Sequence, residues 1–354
     1  MDSEQSTSLE KPPPPPPHIS ELLAAGPICD ALMAHCDLQD RLVLRKVCRR
    51  FKAIAESSEL KVKRFSISAF EHLRFWSAES FQVKYTPKYD YVKVQHSPTG
   101  CVGNVRFKNA IEDFQYDLRT IADFSRLEID EMEYNYHIDL TTMSHDLSKI
   151  SDWHCHHRAY HPLKVRKLQT NYLIAISFVD PDYLDVIKYD DAHWWEDTNI
   201  DLYEGTKQWY NATELITNQV LKTSNIVKHF GHFDYAEFVL RNHYNISKDE
   251  LVAFKDIFLL RPLFQKFEII PLTDHNPDDP IFFSAPDSFL PFQDPTERNV
   301  FCFNYPNSED RLSVRIAKDG IRFTGPCFLG DKIEIPRRRV WVEVEDEDED
   351  SDED

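Results

Sequence analysis

The sequence predicts a mixed α+β or α/β chain, in which a small helical module precedes an irregular, repeat-like stack of helix-strand units and both ends are disordered. Three observations carry this. Residues 27–54 hold two compact helical patterns. From about residue 109 onward, a helical stripe followed by a short strand recurs. The extremes cannot build a core, with six prolines from Pro12 to Pro17 at one end and ten Asp or Glu within residues 343–354 at the other.

In chain order, residues 1–18 read as a Pro-rich tail that favours an extended polyproline II rod. Residues 19–60 form the helical module. Gly26 helps the chain turn, Pro27 suits a helix-opening position, and Ile28, Ala31 and Leu32 follow at one-turn spacing. Asp37 can accept an unpaired amide hydrogen and start a second helix, whose stripe of Leu44, Val47, Cys48, Phe51, Ile54 and Ala55 is expected on one face. A helical unit of roughly 30 residues cannot bury enough apolar surface to be stable alone, so that stripe needs a partner or the rest of the chain. Arg45, Lys46, Arg49, Arg50 and Lys52 form its solvated or partner-facing side.

Residues 61–164 begin the α/β region with β-rich runs at Val62 to Ile67 and Phe81 to Tyr85. Four helix-strand units are expected. Ile111, Phe114, Leu118 and Ile121 make a helical stripe before the strand Leu127 to Ile129, and a second stripe runs from Leu168 through Phe178 into Leu184 to Ile187. The third places Trp209, Ala212 and Ile216 in a helix, with strands at Ile226 to His229 and Phe238 to Leu240. In the fourth, Ser247-Lys248-Asp249-Glu250 is a capping box, Leu251, Phe254, Ile257 and Phe258 are the stripe, and Phe267 to Ile270 is the strand. Such repetition implies a parallel sheet backed by helices, and its irregular spacing favours a curved, leucine-rich-repeat-like stack. Residues 271–342 continue it with β-rich pieces at Val300 to Asn304, Leu312 to Ile316, Ile321 to Thr324 and Val340 to Val342; residues 343–354 are an acidic disordered tail.

Composition excludes several functions. The formal charge of -19 falls to -9 outside the acidic tail, and a body this acidic repels phosphate, which argues against nucleic-acid binding. Seven scattered cysteines without a Cys-x-x-Cys pair read as reduced thiols, no segment is long and apolar enough for a membrane span, and Met1 to Glu4 lacks a secretory pattern. A cytoplasmic or nuclear protein is expected. His154-Cys155-His156-His157 and His161 offer zinc donors but fit no standard ligand spacing, so no metal is expected. Trp194-Trp195 reads as one core ring and one partly exposed ring. No His-Glu-x-x-His, Gly-x-Ser-x-Gly or phosphate-cradling Gly loop is present, so neither catalysis nor a cofactor is expected.

The order Pro27, Ile28, Leu32, an Asp-initiated helix and then Leu44-Arg45-Lys46-Val47-Cys48-Arg49-Arg50-Phe51 closely resembles the F-box. That resemblance implies docking on a Skp-type adaptor, and through it on a cullin, by Pro27, Ile28, Leu32, Leu44, Val47, Cys48 and Phe51. Gly26 stands where that family commonly has Leu.

Residues 165–270 resemble the FTH domain of nematode F-box proteins. The resemblance lies in Phe178 to Ile187, Lys207 to Ala212, Val227-Lys228-His229-Phe230-Gly231-His232-Phe233, Ile246 to Ile257 and Phe264 to Phe267. It implies a target-recognition role with no catalytic residues. Together they imply a substrate-recognition subunit of an SCF-type ubiquitin ligase; a ligase-independent interaction scaffold with a degenerate F-box is the alternative. The target is unknown.

Overall fold

The computed structural model describes residues 26–70, 73–79, 81–87, 92–97, 102–105, 116–118, 120–121, 123–136, 162–171, 173–190, 198–203, 205–241, 246–272, 284–317 and 320–332. The Pro run, the His154 to His161 segment, Trp194-Trp195, Val340 to Val342 and the acidic tail lie outside these residues. Three helices come first: α1 (Gly26–His35), α2 (Leu38–Leu44) and α3 (Arg49–Ser57). An antiparallel run follows, β1 (Leu60–Phe70), β2 (Leu73–Ala78), β3 (Phe81–Pro87), β4 (Val92–Ser97) and β5 (Val102–Val105).

The chain then adds β6 (Leu127–Tyr136), β7 (Lys164–Thr170), β8 (Val186–Tyr189), β9 (Thr198–Asn199), α4 (Lys207–Asn211), β10 (Glu214–Lys222), α5 (Ile226–Phe230), β11 (Tyr235–Arg241), α6 (Lys248–Leu259) and β12 (Lys266–Leu272). Short 3₁₀ turns interrupt it at Leu173–Phe178 and Ile200–Tyr203. After a third 3₁₀ turn, Asp287–Phe292, β13 (Val300–Asn304), β14 (Arg311–Ala317) and β15 (Gly320–Thr324) close the chain.

All these strands join one 15-stranded sheet. Its centre, β1-β6-β7-β8-β10-β11-β12, is parallel and follows chain order, and antiparallel strands extend it at both flanks. The expected mixed α/β architecture around a large sheet is what forms.

Register sorts the side chains. One rung crosses ten strands through Phe65, Met132, Leu168, Ile187, Leu215, Ala236, Phe267, Phe323, Val314 and Phe301, all buried. The residues one position earlier on the parallel strands necessarily face the other way, and they include Arg64, Glu131, Lys167, Glu214 and Lys266. Thus one sheet face packs under helices and the other is polar.

The apolar face is filled with aromatic rings. Trp209 of α4, wholly buried, meets Phe230 and Phe233 edge-on at 5.9 and 5.4 Å. Phe254 and Phe258 of α6 lie over Phe267 and Phe323, with Phe258 stacked on Phe264 at 4.1 Å. Each such residue buries a large area and ring pairs add directional attraction. Gly325 ends β15 where a Cβ would come within 2.3 Å of the Phe264 carbonyl oxygen, so only glycine lets the two chains approach this closely.

Three expectations change. The helix expected beyond Asp37 is two helices. The amides of Lys46 and Val47 bond back three residues, to Val43 and Leu44, and Cys48 is extended. The stripe from Leu168 is a strand followed by a 3₁₀ turn, because β-branched and long apolar residues in a short buried run carry no decisive period. In the third unit, Ile216 lies in β10 and Ile226 to His229 begin α5. A five-residue helix spans too few turns to show a stripe, and β10 is buried on both faces.

Candidate functional surfaces

The helical module is held by capping and by one arginine. Asp37 accepts from the Asp40 amide at 2.8 Å, and the Cys48 sulfur accepts from the Phe51 amide at 3.5 Å, so each of the two later helices starts on its own cap. Arg41 of α2 is 2% exposed, and its guanidinium donates to the carbonyls of Met33, Cys36, Ser58 and Glu59 at 2.8, 3.3, 2.9 and 2.7 Å. Those carbonyls belong to the end of α1, the α1–α2 turn and the link from α3 into β1. One side chain therefore ties three helices to the first strand. Burial lowers its pKa, and the carbonyls at the helix ends supply the compensating negative potential.

Arg45 fastens the module to the sheet domain. It pairs with Glu56 at 2.5 Å and Asp123 at 3.2 Å, donates to the Thr120 carbonyl at 3.0 Å and lies over the Phe124 ring at 5.5 Å. The Leu60 amide to the Arg126 carbonyl closes the same seam. Arg45 is thus not on the solvated side expected of it, whereas Lys46, Arg49, Arg50 and Lys52 are exposed.

The adaptor-docking residues divide by burial. Leu32 and Leu44 are half-buried and pack against the core, and Phe51 is half-buried. Val47 is 62% exposed and Cys48 is exposed; Pro27 and Ile28 lie in the first turn of α1. The single-face stripe does not form, since Ala55 is wholly buried while Val47 faces water. Val43, 57% exposed, adds to Val47 an apolar edge that the sequence reading left out. No local signal in the sequence marks it, because the turn that exposes it, where the Lys46 amide bonds to the Val43 carbonyl, carries neither Gly nor Pro.

A second surface is the polar sheet face. Across β1, β6, β7, β8 and β10 it forms an open groove of about 700 Å³, lined by Arg64, Glu131, Glu133, Lys167, Lys188 and Glu214 among others. Arg64 and Lys167 both lie 3.7 Å from Glu131. The groove ends at Lys332, which pairs with Glu214 at 2.5 Å and sits over the Tyr235 ring at 4.7 Å.

Beyond that end the same face is covered and ionic. Lys266 is wholly buried and lies 3.0, 2.6 and 2.5 Å from Glu237, Glu268 and Asp331. Burial works against its charge, but these carboxylates outweigh it and raise its pKa. Burial and the hydrogen bond to Glu237 raise that of Tyr235. The three carboxylates converge in a way that could hold a cation. The Lys266 ammonium already fills the space between them.

The distinctive Gln-Trp and His-Phe-x-His-Phe residues make a structural clasp. Gln208 donates to the Val179 carbonyl, Trp209 Nε1 to the His229 carbonyl, and His232 Nε2 to the Trp209 carbonyl at 2.9 Å. Burial pushes His232 down to about 4, so it is neutral, and its buried Nδ1 has no hydrogen-bond partner among the described residues. His229, also buried, lies 3.3 Å from Asp201. Asp201 is held below the usual carboxylate range despite burial, by donors from Ser224 and Thr223.

Comparison with known proteins agrees with these two regions. Residues 32–63 match the family model of the F-box domain, and residues 150–285 match that of the FTH domain. The chain carries an F-box domain followed by an FTH domain. Pro27 and Ile28 fall before the matched F-box range, and the FTH match is wider than residues 165–270. No curated protein and no solved structure matches the chain. No helix among the described residues is long and apolar enough to cross a membrane.

Proposed function

We propose that this chain is a non-catalytic substrate-recognition subunit of an SCF-type ubiquitin ligase. F-box domains generally bind a Skp-type adaptor and thereby a cullin, and the FTH domain is consistent with binding a target. The observation that carries the reading is an F-box domain whose Val43 and Val47 stay exposed beside half-buried Leu44 and Phe51. An apolar edge left in water by a folded unit gains free energy when a partner covers it, at roughly 25 cal/mol per Å² buried. Pro27, Ile28, Leu32, Leu44, Val47, Cys48 and Phe51 would then face or support the adaptor.

The sheet region, taken as a leucine-rich-repeat-like arc because its parallel strands follow chain order, would hold the target. Its contribution to ubiquitin transfer is proximity, since a tethered target meets the charged conjugating enzyme intramolecularly.

The test is binding of the full chain to a purified Skp-type adaptor, beside a Val43→Asp, Val47→Asp variant. Leu44 packs against the core, so these two positions separate docking from folding better. The parent should bind and the variant should lose binding by at least about tenfold, because burying an unpaired carboxylate costs several kcal/mol. Equal binding by a folded variant would sink the assigned surface. Absence of binding by the parent would favour the second reading, a ligase-independent scaffold with a degenerate F-box, which Gly26 in place of the usual Leu supports.

A further inference from the structure

The loop that leads into β12 and the loop that leaves β15 meet at one rim of the sheet. The Cys327 thiol donates to the Pro262 carbonyl at 3.5 Å and the Gly325 amide to the Gln265 carbonyl at 2.9 Å, while Gly325 packs closely on Phe264. Both loops carry apolar residues that the core does not take. Leu329 and Leu260, 99% and 78% exposed, are the most exposed large apolar side chains among the described residues, and Leu263, Pro262 and Pro326 are exposed beside them. Single exposed leucines are ordinary on a protein surface, whereas a contiguous apolar group marks a contact site.

Charge around this rim is one-sided. Arg261 and Asp331 are engaged within the fold, Arg261 with Asp234 at 2.7 Å and the Gly231 carbonyl at 3.1 Å, and Asp331 with buried Lys266 at 2.5 Å. On one flank the β13–β14 hairpin turns, its Tyr305 amide donating to the Asp310 carbonyl at 3.0 Å. The buried Tyr305 hydroxyl lies near both Cys327 and Asp310; burial first, and then these two groups, push its pKa up to about 12. Glu309 and Asp310 on that turn are exposed and join no ion pair among the described residues, Asp310 accepting from Ser308 of the same turn.

We propose that this rim is where the sheet region holds its target, and that the partner is an amphipathic helix whose apolar face covers Leu260, Leu263 and Leu329 while Lys or Arg on its flank meets Glu309 and Asp310. The inference rests on the reading of the sheet region as target-holding and is independent of adaptor docking. A helix fits because β12 and β15 are each paired on both sides, so the rim offers no backbone edge for an added strand and binds through side chains. Charge opposes two other covers. A second copy brings the same acidic flank and the same net charge of -19, and an anionic membrane surface is repelled likewise.

Three synthetic helical peptides serve as probes of the full chain, with no adaptor present, so that failure here and failure of adaptor docking are told apart. One has a Leu face with a Lys flank, the second the same face with a Glu flank, and the third the Lys flank with Gln in place of Leu. By fluorescence anisotropy the first should bind at least about tenfold more tightly than either other, and its advantage over the second should shrink as salt rises. A photoreactive residue on its Leu face should label residues 260–263 or 326–329. A Leu260→Ser, Leu263→Ser, Leu329→Ser variant, with urea unfolding like the parent's, should lose both signals. Equal binding of the three peptides, labelling elsewhere, or undiminished binding by the variant would overturn the proposal. So would self-association of the parent that the variant loses, which would assign the rim to a second copy, or parent binding to phosphatidylserine vesicles that the variant loses, which would assign it to a membrane.

Discussion

The helical module and the FTH half solve the same problem of stability in opposite ways. Residues 26–58 bury few apolar side chains, chiefly Cys29, Met33, Leu38 and Ala55, and lean on Arg41 and Arg45 for cohesion. The FTH half buries a dense set of rings around Trp209 and Phe258 and needs no such staple on that side. A unit held by polar bonds to its own backbone can leave apolar residues such as Val43 and Val47 outside. A unit that consumes its apolar residues internally is left with charge to present on its open sheet face, as along Lys167, Lys188 and Glu214. The two surfaces therefore suit different partners.

Replacement of Trp209 by Ala should break the contrast most severely. It removes a wholly buried indole, two edge-on ring contacts and the hydrogen bond to the His229 carbonyl. A loss of about 3–5 kcal/mol is expected in urea unfolding of the sheet domain. If the loss were under about 1 kcal/mol, the aromatic cluster would not be the main stabiliser of that half.

Acid should act on the same half. His232 sits at about 4 when folded, against an ordinary 6.5, so the unfolded chain binds the extra proton between those values. Its contribution is complete above about pH 6.5 and is lost as pH falls towards 4, amounting to roughly 3 kcal/mol at 1.36 kcal/mol per pKa unit. A His232→Gln variant, measured by unfolding from pH 7 to 4, should show a shallower decline. An unchanged slope would mean that other groups set the acid response.

Arg41→Met should give the smaller and more local effect, about 2 kcal/mol, because four backbone carbonyls lose a shared donor while the apolar stem is retained. Hydrogen exchange should rise across α1 to α3 and stay near parent values in β10 to β12. Uniform acceleration throughout would show the two regions to be one cooperative unit.

Much of the fold was legible where a local signal was strong. Ser247 and Glu250 form the expected reciprocal cap, and Leu251, Phe254 and Phe258 are buried as the stripe required. Asp37 caps α2, and Val300 to Asn304, Leu312 to Ile316 and Ile321 to Thr324 lie in strands. The break at Cys48 was not legible, because no Gly or Pro marks it and a thiol is a weak cap. The groove was hidden for a different reason. Lys63-Arg64 and Asp130-Glu131 each put two exposed polar residues between buried neighbours, interrupting the alternation that would identify a face. Which charges meet across β1, β6 and β7 depends on register, and register is a property of paired strands.

The seam closed by Arg45 has a geometric consequence. With Glu56, Asp123, the Thr120 carbonyl and Phe124 all engaged, Arg45 braces the helices against the segment that leads into β6, in the manner of a bracket. A bracket fixes the distance and angle between whatever grips its two ends. In a complex built on both ends, only target lysines within a narrow zone would come into range of transfer, so selection among them would be a matter of position before it was one of chemistry.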